Sequence, residues 1–243
     1  MITETTARSA TTKRVAIVQS NYIPWKGYFD LIRLSDEFIL YDDVQYTRRD
    51  WRNRNLIKTP TGLQWLTIPV EVKGKYHQRI RDTRISDPNW GRKHWATLLH
   101  NYGKAPSFGT YREIFERLYL TASDAFLSDV NRRFIDTIAP LVGIGTPIRW
   151  SSDYQLAEGR SERLLQLCLS AGATEYLSGP SAKGYLDEAL FAEAGVSVIW
   201  MDYAGYLPYP QLFGEFQHGV TILDLLFNVG ADAARFMKTR PAT

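Results

Sequence analysis

The sequence predicts an α/β protein with a mostly parallel sheet of Rossmann-like type and a helical insertion in the middle of the chain. One observation is the order of elements in the first forty residues: an apolar run at Arg14–Ser20, a turn-rich loop, a short helix and a second apolar run at Glu37–Tyr41. A strand, a helix and a strand in this order are typical of a parallel pair. The other observation is a late β-branched run at Val196–Met201, which predicts a further buried strand.

Amphipathic helices are expected between these two α/β portions. Apolar residues recur three or four positions apart in two long segments of the middle region, and a third segment follows a typical helix start at Asp87–Trp90. The three candidate helices are Gly91–Tyr102, Tyr111–Leu120 and Asp124–Leu141.

These patterns also predict the domain boundaries. A single α/β domain is expected over residues 14–230, with the helical insertion at about 88–142. Residues 1–13 are expected to form a disordered tail, and residues 231–243 a C-terminal tail. Leu63–Val72 predicts one more strand, bent or at an edge because it contains a proline.

Composition excludes several classes of protein. Of the 243 residues, 44% are hydrophobic and 23% are charged, as in globular proteins and unlike disordered ones. No apolar stretch is long enough to cross a membrane, and the polar start does not resemble a secretory signal. The single cysteine, Cys168, excludes an internal disulfide, so a cytoplasmic protein is expected. The four histidines show no ligand spacing, so no structural metal is expected.

The positive charge is concentrated in one segment. Residues 45–95 contain 12 Lys and Arg against 4 Asp and Glu, and five of the seven tryptophans lie between Trp25 and Trp95. Guanidinium groups bind phosphate and indoles stack on sugars or bases, so the pattern favours an anionic, ring-containing ligand. Nucleic acid is less favoured despite a pI of about 8.9, because lysine-rich runs and a helix-turn-helix pattern are absent.

Four side chains are candidate acids or bases. Asp42 and Asp43 follow a predicted strand, and since neighbours in an extended chain point to opposite sides, one of them is expected to face a site. The alternative is a strand-end turn in which Asp43 caps backbone N–H groups. His100 at the end of a predicted helix, and His218 paired with Asp224 at the last helix, are further candidates for proton transfer.

The candidate binding residues cluster in loops that follow predicted strands, where ligands of open α/β sheets bind. Arg52 and Asn53 are the favoured pair, because a guanidinium binds phosphate and an amide binds sugar hydroxyls. In a strand, Arg48, Arg52 and Arg54 would share one face. The full set is Gln19, Asn21, Tyr22, Lys26, Tyr46, Arg52, Asn53, Arg54, Lys104 and Ser178.

Several longer segments resemble the WbqC-like family of bacterial proteins, which are often associated with surface polysaccharide (O-antigen or capsule) gene clusters. They include QSNYIPWKGYFDLI at 19–32, YDDVQYTRRDWRNRN at 41–55, YLSGPSAKGY at 176–185 and FGEFQHGVTILDLLFNVG at 213–230. The resemblance covers almost the whole chain. It implies a role in nucleotide-sugar metabolism or surface-glycan assembly.

The loop after the first strand is also similar in layout to that of HIGH-type nucleotidylyltransferases and pantothenate synthetase-like ligases. Those proteins place two histidines there, whereas this sequence has Trp25 and Tyr28 near the corresponding positions. Aromatic rings cannot supply the positive charge that stabilises a transferring phosphate, so nucleotidyl transfer is the less favoured hypothesis.

The sequence therefore favours a transferase of nucleotide-sugar or surface-glycan biosynthesis, most of all one that joins an acyl or aminoacyl group to an amino sugar. Amide formation needs a base for the ammonium group and donors for the oxyanion. The expected partners are a nucleotide sugar and an acyl donor, and Mg²⁺ could accompany a diphosphate substrate. The alternative is an accessory protein that binds a glycan or nucleotide sugar without chemistry.

Overall fold

The computed structural model describes residues 12–240, which form seven strands, seven α-helices and four short 3₁₀ segments. The strands are β1 (Arg14–Val18), β2 (Glu37–Leu40), β3 (Arg54–Thr59), β4 (Gly62–Thr67), β5 (Ile148–Trp150), β6 (Glu175–Ser178) and β7 (Ser197–Trp200). The helices are α1 (Lys26–Arg33), α2 (Trp90–Tyr102), α3 (Phe108–Leu120), α4 (Leu127–Leu141), α5 (Ser161–Ser170), α6 (Glu188–Glu193) and α7 (Ile222–Val229).

Five of these strands form one parallel sheet in the order β5-β2-β1-β6-β7. The predicted α/β class with a mostly parallel sheet is confirmed. From the central β1 the chain first builds outward through β2 to β5, and then crosses to the other side of β1 to build β6 and β7. The direction of winding reverses between β1 and β6, which makes the carboxyl ends of these two strands the topological switch point of the sheet.

Helices cover both faces of the sheet. Ala16 of β1 belongs to the apolar cluster that contains residues of α1, α2, α3, α4 and α7, whereas Val15 and Ile17 belong to a second cluster with α5 and α6. Successive side chains of a strand point to opposite faces. The side chains of β1 therefore pack alternately into the two apolar clusters. This central strand is therefore apolar on both sides.

The segment between β2 and β5 contains a β-hairpin followed by three helices. Helices α2, α3 and α4 fill Trp90–Leu141, where the sequence analysis expected a helical insertion. The hairpin is formed by β3 and β4, which pair antiparallel. The single strand expected at Leu63–Val72 is wrong in its bounds: β4 ends at Thr67, and its partner strand β3 was not predicted.

The arginines of residues 48–54 do not share a strand face. Residues 48–53 form turns and bends, and β3 begins only at Arg54. Arg49 adopts a left-handed backbone with φ of +58°, which reverses the chain direction before the strand starts. The expectation that Arg48, Arg52 and Arg54 line up is therefore wrong.

Residues beyond Gly230 pack against the domain. A 3₁₀ segment covers Gly230–Phe236, Ala233 within it is buried, and the backbone N–H of Lys238 donates to Asp30 Oδ1 at 3.0 Å. Residues 231–240 of the expected C-terminal tail thus contact the domain. Residues 1–11 and 241–243 of the two expected tails lie outside the described residues.

The late strand β7 lies at an edge of the sheet. It pairs only with β6 among the described strands, and Val198, Ile199 and Trp200 are half-buried. The prediction of a further strand here is confirmed, but not the prediction that it is fully buried. An apolar run alone does not distinguish a central strand from an edge strand that is covered in part by loops.

Candidate functional site

A cavity of about 880 Å³ lies at the carboxyl edge of the parallel sheet. Its walls come from the segments that follow β1, β2, β5 and β6, and it opens at the switch point between β1 and β6. Ligands of open α/β sheets bind at this place because the loops diverge there and leave a crevice. The volume lies in the usual range for sites that bind small molecules.

The cavity is lined by three arginines: Arg52, Arg160 and Arg163. None of the described residues that line it is an aspartate, a glutamate or a histidine. Cationic side chains gathered in a concave site whose wall has no acidic side chain raise the local concentration of anions. The lining therefore favours an anionic ligand.

Arg52 is held in place by the loop after β1. Its Nη1 donates to the Asn21 side-chain oxygen and to the Gln19 carbonyl, the latter at 3.5 Å, and its Nη2 lies 3.7 Å from Asp50. Because the guanidinium has five N–H donors in a fixed fork, these contacts leave donors for a ligand. The contacts orient the group at the wall of the cavity.

Arg160 and Arg163 belong to the beginning of α5. Arg160 immediately precedes the helix and lies over the ring of Tyr185, 5.3 Å from its centre, while Arg163 Nε donates to the Ala157 carbonyl at 2.8 Å. A helix that follows a parallel strand starts at the carboxyl edge of the sheet, and its N-terminus carries a partial positive charge. This start of α5 adds to the positive potential of the arginines.

Aromatic rings form much of the remaining wall. Trp25 and Tyr203 contact each other with ring centres 5.2 Å apart, and burial raises the pKa of Tyr203 to about 12. Tyr28 donates from its hydroxyl to the Gln19 carbonyl at 3.1 Å. Phenols with raised pKa values stay neutral near pH 7, so they offer flat apolar surfaces and hydroxyl groups but no base. The other lining tyrosines are Tyr41, Tyr176 and Tyr185.

Four of the predicted binding residues meet at this cavity: Gln19, Asn21, Arg52 and Ser178. They come from three separate segments of the sequence. Gln19 and Asn21 follow β1, Arg52 belongs to the turn before β3, and Ser178 ends β6. The structure brings them together because β1 and β6 are neighbours in the sheet.

Asp42 lies outside the cavity wall. It is 1% exposed, and its carboxylate accepts hydrogen bonds from the Ser20 N–H at 2.8 Å, the Ser20 hydroxyl at 2.6 Å and the Ser128 hydroxyl. Burial raises the pKa of Asp42, although these donors oppose the rise. Since Tyr41 lines the cavity, the next side chain of the extended backbone points away from it. The carboxylate joins the ends of β1 and β2 to α4 and does not reach a ligand.

Asp43 also lies outside the cavity wall. Its Oδ1 accepts from Arg81 Nη1 and its Oδ2 from the Ser151 hydroxyl, both at 2.6 Å. The prediction that the two aspartates point to different sides agrees with these contacts. The prediction that one of them faces the site is not supported, since neither lines the cavity.

Three other predicted binding residues stabilise the hairpin and its surroundings. Asn53 is buried and donates from Nδ2 to the Ile68 carbonyl at 2.8 Å, while Arg54 lies over the ring of Trp65 at 4.0 Å. Tyr46 is 6% exposed, and burial raises its pKa to about 12. None of the three lines the cavity.

Lys26 is buried beneath the loop between β7 and α7. Its ammonium lies 4.7 Å from the ring centre of Tyr206 and 5.2 Å from that of Tyr209, and it donates to the Leu207 carbonyl at 3.3 Å. Burial lowers the pKa of Lys26 to about 8. The loop that Lys26 holds by these contacts also places Tyr203 at the cavity, so Lys26 acts as a positioning residue and not as a ligand contact.

The remaining polar candidates are on other surfaces. His100 and Lys104 are exposed at the end of α2 and do not line the cavity. His218 is exposed and packs on Phe216 with ring centres 4.5 Å apart. It does not pair with Asp224, which is buried and accepts from Tyr102, Tyr209 and Gln211 instead.

Tyr22, predicted to bind a ligand, belongs to a buried hydrogen-bonded triad. Its hydroxyl lies 2.8 Å from His94 Nδ1 and 2.8 Å from the Tyr119 hydroxyl, and His94 Nε2 lies 3.1 Å from the Thr67 carbonyl. A carbonyl only accepts, so Nε2 carries a proton. Burial lowers the pKa of His94 to about 4, so the imidazole is neutral near pH 7 and its Nδ1 accepts from Tyr22.

The neutral His94 predicts a pH-dependent stability. Between an ordinary pKa of about 6.5 in the unfolded chain and about 4 in the fold, protons bind only the unfolded state, so acidification favours unfolding. The compared quantity is the free energy of unfolding of the wild type minus that of His94→Gln. We expect this difference to be smaller at pH 4 than at pH 7, by on the order of 3 kcal/mol. Urea unfolding of both proteins at several pH values measures this difference and cancels the other titrating groups. A constant difference across that range would refute the neutral assignment.

Sequence reasoning missed the two arginines of α5 and most of the tyrosines. Arg160 and Arg163 occur in EGRSER, which matches no nucleotide motif. Their one signal is positional, since the start of a helix after a parallel strand lies at the carboxyl edge of the sheet. It leads to this cavity only when the strand order is known. The tyrosines gave no such signal, because buried tyrosines of the core have the same apolar surroundings.

The segments that form the cavity also match a family of known proteins. The WbqC-like protein family matches residues 19–236. The chain belongs to this family. The resemblance noted from the sequence motifs is thereby confirmed, and the match includes all three cavity arginines and the segments after β1 and β6.

One curated relative of this WbqC-like protein comes from Mycobacterium tuberculosis. "Uncharacterized protein Rv1507c" is 54% identical over 226 residues, which cover 93% of this chain and 98% of the relative. No solved structure matches the chain.

The described helices and acidic or ligating side chains bear on membranes and metals. Within residues 12–240 of this WbqC-like protein, every helix is too short or too polar to cross a bilayer. The same residues contain no group of three or more His, Cys, Asp or Glu side chains arranged to hold a metal ion.

Proposed function

We propose that this WbqC-like protein binds a nucleotide-linked sugar in the cavity at the switch point and acts in surface-glycan assembly. The observation that carries the proposal is the composition of the cavity wall. The described residues that line it include three arginines and no acidic side chain. A nucleotide sugar presents a diphosphate between two ring systems. The arginines match the diphosphate, and the tyrosines with Trp25 match the rings.

The cationic lining also favours a binding role over the amide-forming transfer that the sequence predicted. Deprotonation of an ammonium group needs a base within hydrogen-bond reach. Asp42, Asp43, His100 and His218 do not line the cavity. Burial raises the pKa of four of its five tyrosines, which keeps those four neutral near pH 7. We therefore favour an accessory role in which the protein binds and presents a nucleotide sugar. Acyl or aminoacyl transfer to an amino sugar is the competing hypothesis, and it requires that the second substrate supply the base.

Titration calorimetry of the full chain distinguishes the ligand classes. UDP-, GDP- and dTDP-linked amino sugars are compared with the corresponding free sugars and with nucleosides that lack phosphate. We expect binding of the phosphorylated compounds only. Mass spectrometry of the same mixtures, with acyl donors or with ATP and amino acids added, then detects any transfer product, and a product would establish the enzymatic hypothesis.

Arg52→Ala is expected to weaken binding of the nucleotide sugar at least tenfold, because one charge-assisted hydrogen bond to phosphate contributes about 1.5–3 kcal/mol. Arg112→Ala is the matched control, since Arg112 is exposed on α3 and its loss changes the net charge equally. Equal affinities of the two variants would remove Arg52 from the binding site. Binding of free sugars as tightly as nucleotide sugars would overturn the proposal itself.

A further inference from the structure

A second aromatic surface lies outside the cavity, on the hairpin of β3 and β4. Trp51, Leu63 and Trp65 are 42%, 46% and 40% exposed, whereas Ile57 and Leu66 of the same hairpin are buried in the core. Large apolar side chains grouped on a surface mark an interaction site more often than isolated ones do. We call this surface, with Arg54, the tryptophan platform.

The two indoles of the tryptophan platform form a shallow wedge. Their ring centres are 5.2 Å apart and their planes are tilted by 47°. Arg54 lies over Trp65 and donates to the Arg49 carbonyl, which holds the indole in place. Tilted rings in direct contact leave no parallel slot for a flat nucleobase, whereas the C–H groups of a pyranose chair can pack on two inclined aromatic faces.

Three arginines, called the rim, lie in the tryptophan platform or next to it in sequence. Arg54 lies over Trp65, and the exposed Arg48 and Arg49 shortly precede Trp51. Arg48, Arg49 and Arg54 make no ion pair with a carboxylate among residues 12–240. The nearby acidic residue, Asp50, is engaged with the Thr47 hydroxyl at 2.6 Å and with Arg52. Unneutralised guanidinium groups beside an aromatic surface favour a ligand that combines sugar rings with negative charge.

The platform adjoins the cavity. The Trp51 carbonyl accepts the backbone N–H of Tyr22 at 3.1 Å, which ties this turn to the loop after β1, and the next residue, Arg52, lines the cavity. One short turn therefore presents Trp51 to the outside and Arg52 to the inside. A saccharide chain on the platform would lie close to a ligand in the cavity.

From these contacts we infer that the tryptophan platform binds an acidic oligosaccharide. The site is separate from the nucleotide-sugar cavity, but its place in glycan assembly rests on the proposed function. The indoles pack on the sugar rings, and the arginines of the rim bind carboxylate or phosphate groups along the chain. The platform would thus hold a growing or finished glycan beside the bound sugar donor.

Binding is measured with the full chain by tryptophan fluorescence and calorimetry, without any nucleotide sugar. The probes are hexagalacturonic acid, neutral maltohexaose and a hexamer of thymidylate. We expect hexagalacturonic acid to bind at least tenfold more tightly than either of the others. Trp51→Ala and Trp65→Ala should each weaken its binding at least tenfold, and Trp65→Tyr, which keeps an aromatic face, should restore most of it.

Leu169→Ala is the matched control, because Leu169 is 46% exposed on α5, which packs on the other face of the sheet. Its affinity for hexagalacturonic acid should equal that of the wild type. Absence of binding, binding that survives both tryptophan variants, or tighter binding of the thymidylate hexamer would each overturn the inference. The cavity is not involved in this assay. Such a failure would therefore not contradict nucleotide-sugar binding, which is tested by its own titration.

Discussion

Asp42→Ala is expected to lower the free energy of unfolding by about 3–5 kcal/mol, because it leaves three donors without their acceptor in a buried site. The donors are the N–H and hydroxyl of Ser20 and the hydroxyl of Ser128. They link the ends of β1 and β2 to α4. Urea unfolding followed by circular dichroism measures the loss.

The neighbouring Asp43→Ala provides the comparison. Asp43 contacts Arg81, whose side chain is 42% exposed. Water can therefore replace part of the hydrogen bonding that Arg81 loses in the variant. We expect a loss of about 1–2 kcal/mol for this variant. If Asp42→Ala does not fold, Asp42→Asn retains one acceptor oxygen and gives an intermediate value. A fully stable Asp42→Ala protein that no longer binds or turns over its ligand would restore the catalytic role that the sequence predicted.

The double variant Arg160→Ala/Arg163→Ala is expected to weaken nucleotide-sugar binding at least a hundredfold. Two charge-assisted contacts to phosphate are removed together, and each contributes about 1.5–3 kcal/mol. The fold should persist, because Arg160 is exposed and the half-buried Arg163 side chain bonds only to the Ala157 carbonyl and the Tyr41 hydroxyl among the described residues. Titration calorimetry with the nucleotide sugar that binds the wild type most tightly measures the effect.

Arg112→Ala/Arg117→Ala removes the same net charge from the exposed side of α3 and serves as the control. Its affinity should remain within about twofold of the wild type, since exposed charges more than about 10 Å away are largely screened at ordinary ionic strength. Equal losses in the two double variants would mean that the protein attracts the nucleotide through its overall charge, with no role for the start of α5.

The parts of the fold that depend on local pattern were predictable from the sequence. The runs that became β1, β2 and β7 are largely apolar and contain β-branched residues, and the helical spacing of Val130, Phe134 and Ile138 identifies α4. Gln19 and Asn21 were found because they follow such a run, and Arg52 because it lies in the arginine-rich segment. Each of these inferences needs only residues that are near in sequence.

The direction in which a polar side chain points was not predictable in this way. Asp42 faces the core because the hydroxyl of Ser128, 86 residues away, completes its hydrogen bonds. An aspartate beside an arginine-rich segment has the same sequence signature whether it faces a ligand or a buried donor. The contribution of α5 required the strand order, which places the segments after β1, β5 and β6 around one crevice.

A crystal structure of the protein grown with UDP-N-acetylglucosamine, or with the nucleotide sugar that binds it best, tests the central claim directly. The account predicts a diphosphate within hydrogen-bond distance of Arg52 and of at least one of Arg160 and Arg163, with a ring against the tyrosines of the cavity. A nucleotide sugar bound elsewhere on the surface, with the cavity filled only by water, would contradict it.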